Sequence, residues 1–236
     1  MSLEIIPAII PQDIDDLSEK LSRVVGIVPV VQIDFVDGVF VSDARKSWPY
    51  ADVSSMGEFR RLATEEEGLP FWQDFFFEAD LMIDHPENIL EDIVNAGFGR
   101  VILHLGSTDA MHDIIDTLAR FDIEVGIAIG LDDDPAALAP YAEKVNVIQC
   151  MGIASIGKQH EELDARVFAY LPALRVLYPD SIISVDGGVT IENAPLLIGA
   201  GADRLVSGSA IFESDDIEGT LNAFYAVEDN AAERLS

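Results

Sequence analysis

A carboxylate followed by two glycines is the feature of this sequence with the clearest chemical potential. Asp186-Gly187-Gly188 lies between a short apolar run, residues 181–185, and a stretch of helical pattern that begins near Thr190. The pattern places an acid at the carboxyl end of a buried strand, beside a backbone that glycine allows to approach an anion closely. Packing offers no simple reason for the paired glycines. We therefore predict that Asp186 belongs to an active site and that Gly187 and Gly188 bind a phosphate.

A second strand end of the same character follows further along the chain. The segment Leu205-Val-Ser-Gly208-Ser209 again joins an apolar run to small residues and a turn. The loops after the last two strands of an eight-stranded α/β barrel commonly form a phosphate site. We therefore predict that Gly208 and Ser209 contact the same phosphate. Lys158, in a loop of a chain with few cations, is either a further phosphate contact or an ordinary exposed lysine.

Polar side chains also recur two residues apart within two earlier apolar runs. Gln32 and Asp34 are spaced in this way, and so are Glu78 and Asp80. Each pair therefore projects from one side of its strand. If that side faces a barrel lumen, the carboxylates need protons, hydrogen bonds or a metal, because burying an unpaired carboxylate is costly. His104, at another strand end, is either catalytic or a histidine satisfied by its neighbours.

Alternating apolar runs and amphipathic segments must position these residues. The apolar runs predict eight strands, at residues 4–10, 30–36, 75–83, 100–105, 124–129, 145–151, 182–185 and 204–206. The segments after them predict helices at residues 14–24, 56–66, 87–96, 110–120, 136–142, 164–178, 191–200 and 216–227. Eight such units with short links favour an α/β fold of the TIM (β/α)8 barrel class. We expect residues 1–236 to form a single TIM-barrel domain.

Composition restricts the partners and the compartment. The formal net charge is −29, which argues against nucleic acid or an anionic membrane as a partner. No apolar run reaches the roughly 18 residues that a membrane span needs, and the start of the chain lacks the features of a secretory signal. We expect a cytoplasmic protein that forms a homo-oligomer. Cys150, the one cysteine, ends an apolar run and is expected to be buried.

Five segments of the chain resemble the ribulose-phosphate 3-epimerase family in order and spacing. They are Pro7-Ala-Ile-Ile, Gln32-Ile-Asp34-Phe-Val-Asp37-Gly38-Val-Phe-Val41, Ala79-Asp80-Leu-Met82-Ile-Asp-His-Pro86, Val185-Asp186-Gly187-Gly188-Val189 and Gly208-Ser209-Ala-Ile-Phe212. The resemblance implies a TIM barrel that acts on a phosphorylated ketose. It also implies that Asp34 and Asp186 exchange a proton at C3 through an enediolate, and that a divalent metal stabilises the enediolate oxygens.

The residues that the resemblance assigns to the metal depart from the family pattern. Gln32 and Asp80 stand where it places two histidine ligands, and Ala8 stands where it places a serine that contacts substrate. Glutamine is a poor ligand for the metals that imidazole suits. Asp34, Asp80 and Asp186 could instead hold Mg or Mn, which we expect in preference to Zn, through oxygen ligands. The alternative is that no metal binds and that Asp80 is protonated or paired.

The leading hypothesis is an isomerase of carbohydrate metabolism that epimerises a ketose phosphate between Asp34 and Asp186. The first alternative is a related phosphosugar lyase, which is disfavoured because Met82 stands where the decarboxylase branch needs lysine. The second is a catalytically silent barrel that binds a phosphosugar. Loss of the two histidines and the serine favours this second alternative, whereas retention of both aspartates opposes it.

Overall fold

Eight parallel strands close into a barrel in chain order. The computed structural model describes residues 3–158 and 160–234, so residues 1, 2, 159, 235 and 236 of the predicted domain lie outside the description. The strands are β1 Glu4–Ile9, β2 Val30–Val36, β3 Phe76–Met82, β4 Arg100–His104, β5 Glu124–Ile129, β6 Val147–Met151, β7 Ile182–Asp186 and β8 Arg204–Ser207. Helices alternate with these strands along the chain, except between β5 and β6, where a 3₁₀ turn takes the place of a helix. The predicted TIM barrel is confirmed.

The helices are α1 Ile14–Ser22, α2 Val53–Ala63, α3 Leu90–Asn95, α4 Met111–Arg120, α5 Val167–Leu177, α6 Ala194–Ala200, α7 Ser209–Phe212 and α8 Ile217–Arg234. Two 3₁₀ turns, Pro86–Asn88 and Pro135–Leu138, complete the described elements. Within the residues described, no helix is both long enough and apolar enough to cross a membrane.

Two of the predicted helices were wrong in their form. The segment 136–142 contains only the 3₁₀ turn Pro135–Leu138, because Pro140 lacks an N–H and cannot continue a helix through that position. The segment 87–96 is divided into the turn Pro86–Asn88 and α3. Helix α7 was not predicted, since four residues are too few to show helical periodicity.

The main apolar core lies between the barrel and the surrounding helices. Outward side chains of the strands, such as Ile33 and Phe35 on β2, pack there with helix residues such as Phe59. The rings of Phe35 and Phe59 meet edge to face with centroids 5.8 Å apart. Because side chains alternate along a strand, burying Ile33 and Phe35 outward turns Gln32 and Asp34 toward the lumen.

The strand register stacks the polar residues of the lumen in layers. Pairing of β2 with β3 sets Gln32 beside Glu78 and Asp34 beside Asp80. Glu78 is fully buried and accepts hydrogen bonds from Arg100 Nη1 at 2.6 Å and Arg204 Nη2 at 2.9 Å. An ion-paired layer therefore lies beneath the carboxylates at the barrel mouth.

We predict that Glu78→Ala lowers the free energy of unfolding by roughly 3–5 kcal/mol, because two guanidinium groups lose a buried counter-charge. Glu124→Ala is the matched control, since Glu124 pairs with the same Arg100 but keeps 43% of its side chain exposed. The control should cost less than about 1 kcal/mol. Urea denaturation of both variants measures the difference. Equal losses would show that burial does not set the strength of this ion pair.

Candidate active site

Three carboxylates meet at the mouth of the barrel. Asp34 lies on β2, Asp80 lies on β3, and Asp186 is the last residue of β7. One carboxylate oxygen from each lies within 4.8 Å of the others. All three side chains are buried, Asp80 completely. The sequence therefore folds so that three acids share one small, poorly solvated volume.

Two carboxamides hold these acids together. Gln32 Nε2 lies 2.8 Å from Asp34 Oδ1, 2.8 Å from Asp186 Oδ2 and 3.4 Å from Asp80 Oδ2. Gln149 Nε2 donates to Asp80 Oδ2 at 3.0 Å and to Asp186 Oδ2 at 3.1 Å. These N–H groups offset part of the repulsion between the carboxylates.

Gln149 is a site residue that the sequence analysis missed. It lies on β6 inside the apolar run 145–151 and is completely buried. A lone carboxamide within such a run was its signal, because a buried amide is costly unless it finds hydrogen-bond partners. The identity of those partners depends on strands distant in sequence.

His104 joins the cluster through Asp80. Its Nε2 lies 2.6 Å from Asp80 Oδ1, and its ring is buried against the edge of Phe40, with centroids 5.6 Å apart. Asp80 is therefore held from one side by His104 and from the other by the two glutamines. Of the two roles expected for His104, catalytic or satisfied by its neighbours, this contact fits the second.

Burial and mutual repulsion raise the pKa values of two of the acids. Burial raises the pKa of Asp186 to about 8, and the charge of Asp80 adds to the effect. Burial also raises the pKa of Asp34 well above its usual range, with further contributions from Asp186 and Asp80. Hydrogen bonds from Gln32 act in the opposite direction. Near neutral pH the site therefore favours retaining a proton on at least one of these carboxyls.

A cavity of about 370 Å³ opens above the carboxylates. Asp34 and Asp186 line it, whereas Asp80 does not. The predicted phosphate-binding residues line the same cavity, and they are Gly187, Gly188, Gly208, Ser209 and Lys158. A molecule in this cavity could reach two of the three acids and the loops that follow β7 and β8.

The two glycines after Asp186 have a packing reason, contrary to our expectation. Both adopt positive φ, +98° at Gly187 and +69° at Gly188. A Cβ on Gly187 would lie 2.6 Å from a side-chain carbon of Ile153, and one on Gly188 would lie 2.5 Å from the backbone nitrogen of Leu163. The chain that follows β6 thus requires both glycines. The presence of glycine at these positions is therefore no longer evidence for an anion site. The remaining support is that both residues line the cavity.

The basic side chains that line the cavity already contact acids. Lys158 forms an ion pair with Asp43, and His160 Nε2 lies within hydrogen-bond distance of Glu213 Oε1. Glu161 and Glu162 line the cavity as well. An anionic ligand would therefore compete with carboxylates for Lys158, or depend on backbone amides.

The side chains of the cluster suit a hard cation. Asp34, Asp80 and Asp186 offer carboxylate oxygens, and the carboxamides of Gln32 and Gln149 offer oxygens that have no hydrogen-bond partner in the described part of the chain. Oxygen ligands are preferred by Mg²⁺ and Mn²⁺, whereas Zn²⁺ sites are commonly rich in imidazole or thiolate. The donor set therefore fits Mg²⁺ or Mn²⁺ better than Zn²⁺.

Known proteins match this chain over nearly the whole barrel. The profile of the ribulose-phosphate 3 epimerase family matches residues 4–212. The ribulose-phosphate 3-epimerase of Schizosaccharomyces pombe is 24% identical over 220 residues, which cover 93% of this chain and 91% of the relative. That of Treponema pallidum is 27% identical over 206 residues, which cover 86% and 85% of the two chains.

A solved structure supports the fold. The 3-hexulose-6-phosphate synthase of Salmonella typhimurium superposes with a TM-score of 0.71 over 97% of this chain and 100% of that chain. The two sequences are 17% identical, so the likeness concerns the barrel and not the reaction.

We predict that Asp186→Asn stabilises the protein at pH 8. The carboxyl titrates near 3.8 when unfolded and near 8 when folded, so the folded state holds an extra proton between these values and stability falls as the pH rises. Asparagine keeps an acceptor for Gln32 and Gln149 and removes the charge. The free energy of unfolding at pH 8 should increase by several kcal/mol, up to about 5 kcal/mol if the whole effect of the shift is removed.

Urea denaturation at pH 5 and pH 8 measures this effect. The variant should lose most of the decline in stability seen between the two pH values in the native protein. Asp116→Asn, which changes an exposed acid paired with Lys144, is the control and should keep the native decline. A variant that is less stable than the native protein at pH 8 would contradict the prediction.

Proposed function

The chain belongs to the ribulose-phosphate 3-epimerase family, and from this membership we propose that it epimerises a phosphorylated ketose by proton transfer between Asp34 and Asp186. One observation carries the proposal. Of the three clustered carboxylates, these two line the cavity that the glycine-bearing loops also line. The substrate carbon would lie between an acid and a base supplied by different strands.

The raised pKa values suit such a reaction. Removing a proton next to a carbonyl group needs a base, and returning one to the opposite face needs an acid at the same time. Two carboxyls with raised pKa values in one buried site can supply both forms near neutral pH. One carboxylate takes the proton from C3, the enediolate forms, and the other carboxyl delivers its proton. After each turnover Asp34 and Asp186 have exchanged protonation states.

The remaining residues of the cluster position this pair. In the absence of a cation, Gln32 contacts both Asp34 and Asp186 through one nitrogen, which holds the two carboxylates together. Asp80 and His104 do not line the cavity. Asp80 contacts His104 and shares the N–H groups of Gln32 and Gln149 with Asp186. A divalent cation held by Asp34, Asp80 and Asp186 would supply positive charge beside the oxygens of the enediolate.

The loops after β7 and β8 line the same cavity and offer backbone amides to the phosphate of the substrate. We propose that the backbone at Gly187, Gly188, Gly208 and Ser209 binds it, with Lys158 turning from Asp43 to assist. A lyase reaction of the decarboxylase type is not supported, because Met82 is buried in an apolar cluster with Val36 and Val41.

Deuterium incorporation tests the reaction directly. The native protein in D₂O should place deuterium at C3 of D-ribulose 5-phosphate and form the C3 epimer, as followed by NMR. Asp34→Asn and Asp186→Asn should each slow exchange by roughly 10²–10⁴-fold, the usual contribution of a general acid or base. The exposed Asp116→Asn is the matched control and should exchange at the native rate. Native protein that binds the sugar phosphate without exchange would instead identify a silent binding barrel.

The charge of the chain predicts an unusual salt dependence. The acids that line the cavity outnumber the bases, with Asp34, Asp186, Glu161 and Glu162 against Lys158 and His160. A sugar phosphate approaches a protein of formal charge −29 against repulsion, which salt screens. We therefore expect kcat/KM for D-ribulose 5-phosphate to rise severalfold as KCl increases from low to physiological ionic strength. A fall with salt would indicate that a local positive field steers the substrate.

A further inference from the structure

Two buried carboxamide oxygens have no hydrogen-bond donor among the residues that the structure describes. Gln32 and Gln149 are completely buried, and each directs its NH₂ group at the carboxylate cluster. Within the described residues, Oε1 of each has no hydrogen-bond partner. A buried acceptor left without a donor costs roughly 1–3 kcal/mol. Each amide therefore satisfies carboxylates through its NH₂ group, while its own oxygen stays without a donor among the described residues.

The spacing of the polar atoms matches the ligand shell of a small cation. The amide nitrogens lie 2.8–3.4 Å from the carboxylate oxygens that they contact. In an octahedral Mg²⁺ shell with ligands at about 2.1 Å, neighbouring oxygens are about 3.0 Å apart. A half-turn of a carboxamide exchanges its oxygen and nitrogen with little change of shape. Each glutamine can thus place an oxygen where its nitrogen now lies.

We propose that Gln32 and Gln149 invert their carboxamides when Mg²⁺ or Mn²⁺ enters, so that both Oε1 atoms become ligands beside Asp34, Asp80 and Asp186. The inference rests on the cation of the proposed function, and it adds a ligand from β6 and a change of amide orientation. Without the cation, the NH₂ groups hold the carboxylates together. With it, the two oxygens coordinate the cation, and this coordination replaces the hydrogen bonds that the NH₂ groups made to the carboxylates.

Inverted amides and fixed amides predict opposite changes in cation affinity when a glutamine is replaced. If the amides stay as N–H donors, they compete with a cation for the carboxylates, and removing one should leave cation affinity unchanged or increase it. If they invert, removing one deletes a ligand and weakens binding. Gln149→Met and Gln32→Met test this, because methionine keeps the length of the side chain and removes both polar atoms.

Mn²⁺ binding to the free, full-length protein is measured by isothermal titration calorimetry and by the EPR signal of unbound Mn²⁺. We expect Gln149→Met and Gln32→Met each to weaken binding by about tenfold or more. Ser184→Ala is the matched control, because Ser184 is the buried register partner of Gln149 and its Oγ also lacks a hydrogen-bond partner among the residues described. The control should bind within about twofold of the native protein.

Equal or tighter Mn²⁺ binding by Gln149→Met would overturn the inversion, and so would a native protein that binds no Mn²⁺ at millimolar concentration. Crystals of the native protein grown with Mn²⁺ give a second readout that needs no variant. An anomalous peak within roughly 2.5 Å of the side-chain ends of Gln32 and Gln149 supports the proposal, and a peak that contacts neither overturns it. Because no substrate is present, failure of deuterium exchange would remove the proposed reaction and leave this result unchanged.

Discussion

Repulsion among three buried carboxylates is the constraint on which the rest of the site depends. Asp34, Asp80 and Asp186 each present an oxygen within 4.8 Å of the others, in a place that water reaches poorly. Such a cluster persists only if protons, hydrogen bonds or a cation offset the charge. The protein supplies carboxamide N–H groups from Gln32 and Gln149, and burial makes retention of a proton favourable. The proposed proton transfer depends on the same repulsion, because the repulsion keeps an acid form and a base form available together.

The barrel imposes this repulsion through its register. Pairing of β2 with β3 fixes Asp34 beside Asp80, and closure of the barrel brings β7 to the same mouth. The apolar layer between strands and helices holds that register, because a shift of one residue would turn the polar side chains into the core. Glu78 and its two arginines form the layer below. The free energy that maintains the strained mouth therefore comes from the outer core and from this ion-paired layer.

The sequence predicted the barrel because the alternation of apolar runs and helical segments is a local property. It also predicted that Asp34 projects with Gln32 from one side of its strand and that Asp186 ends a strand, since two-residue periodicity and the following glycines are visible in single segments. It did not reveal Gln149, whose importance arises from acids on strands far away in the chain. The sequence also did not indicate the packing reason for Gly187, because the close approach of Ile153 is a tertiary contact.

Asp34 and Asp186 are expected to retain a proton between them near neutral pH. Infrared difference spectroscopy of the free protein, supported by ¹³C NMR of aspartate carboxyls, measures it directly. We predict a protonated carboxyl at pH 7 that titrates near pH 8 and whose signal is changed by Asp34→Asn and by Asp186→Asn. A spectrum in which both carboxyls are fully ionised at pH 6 in the absence of divalent cations would contradict the account.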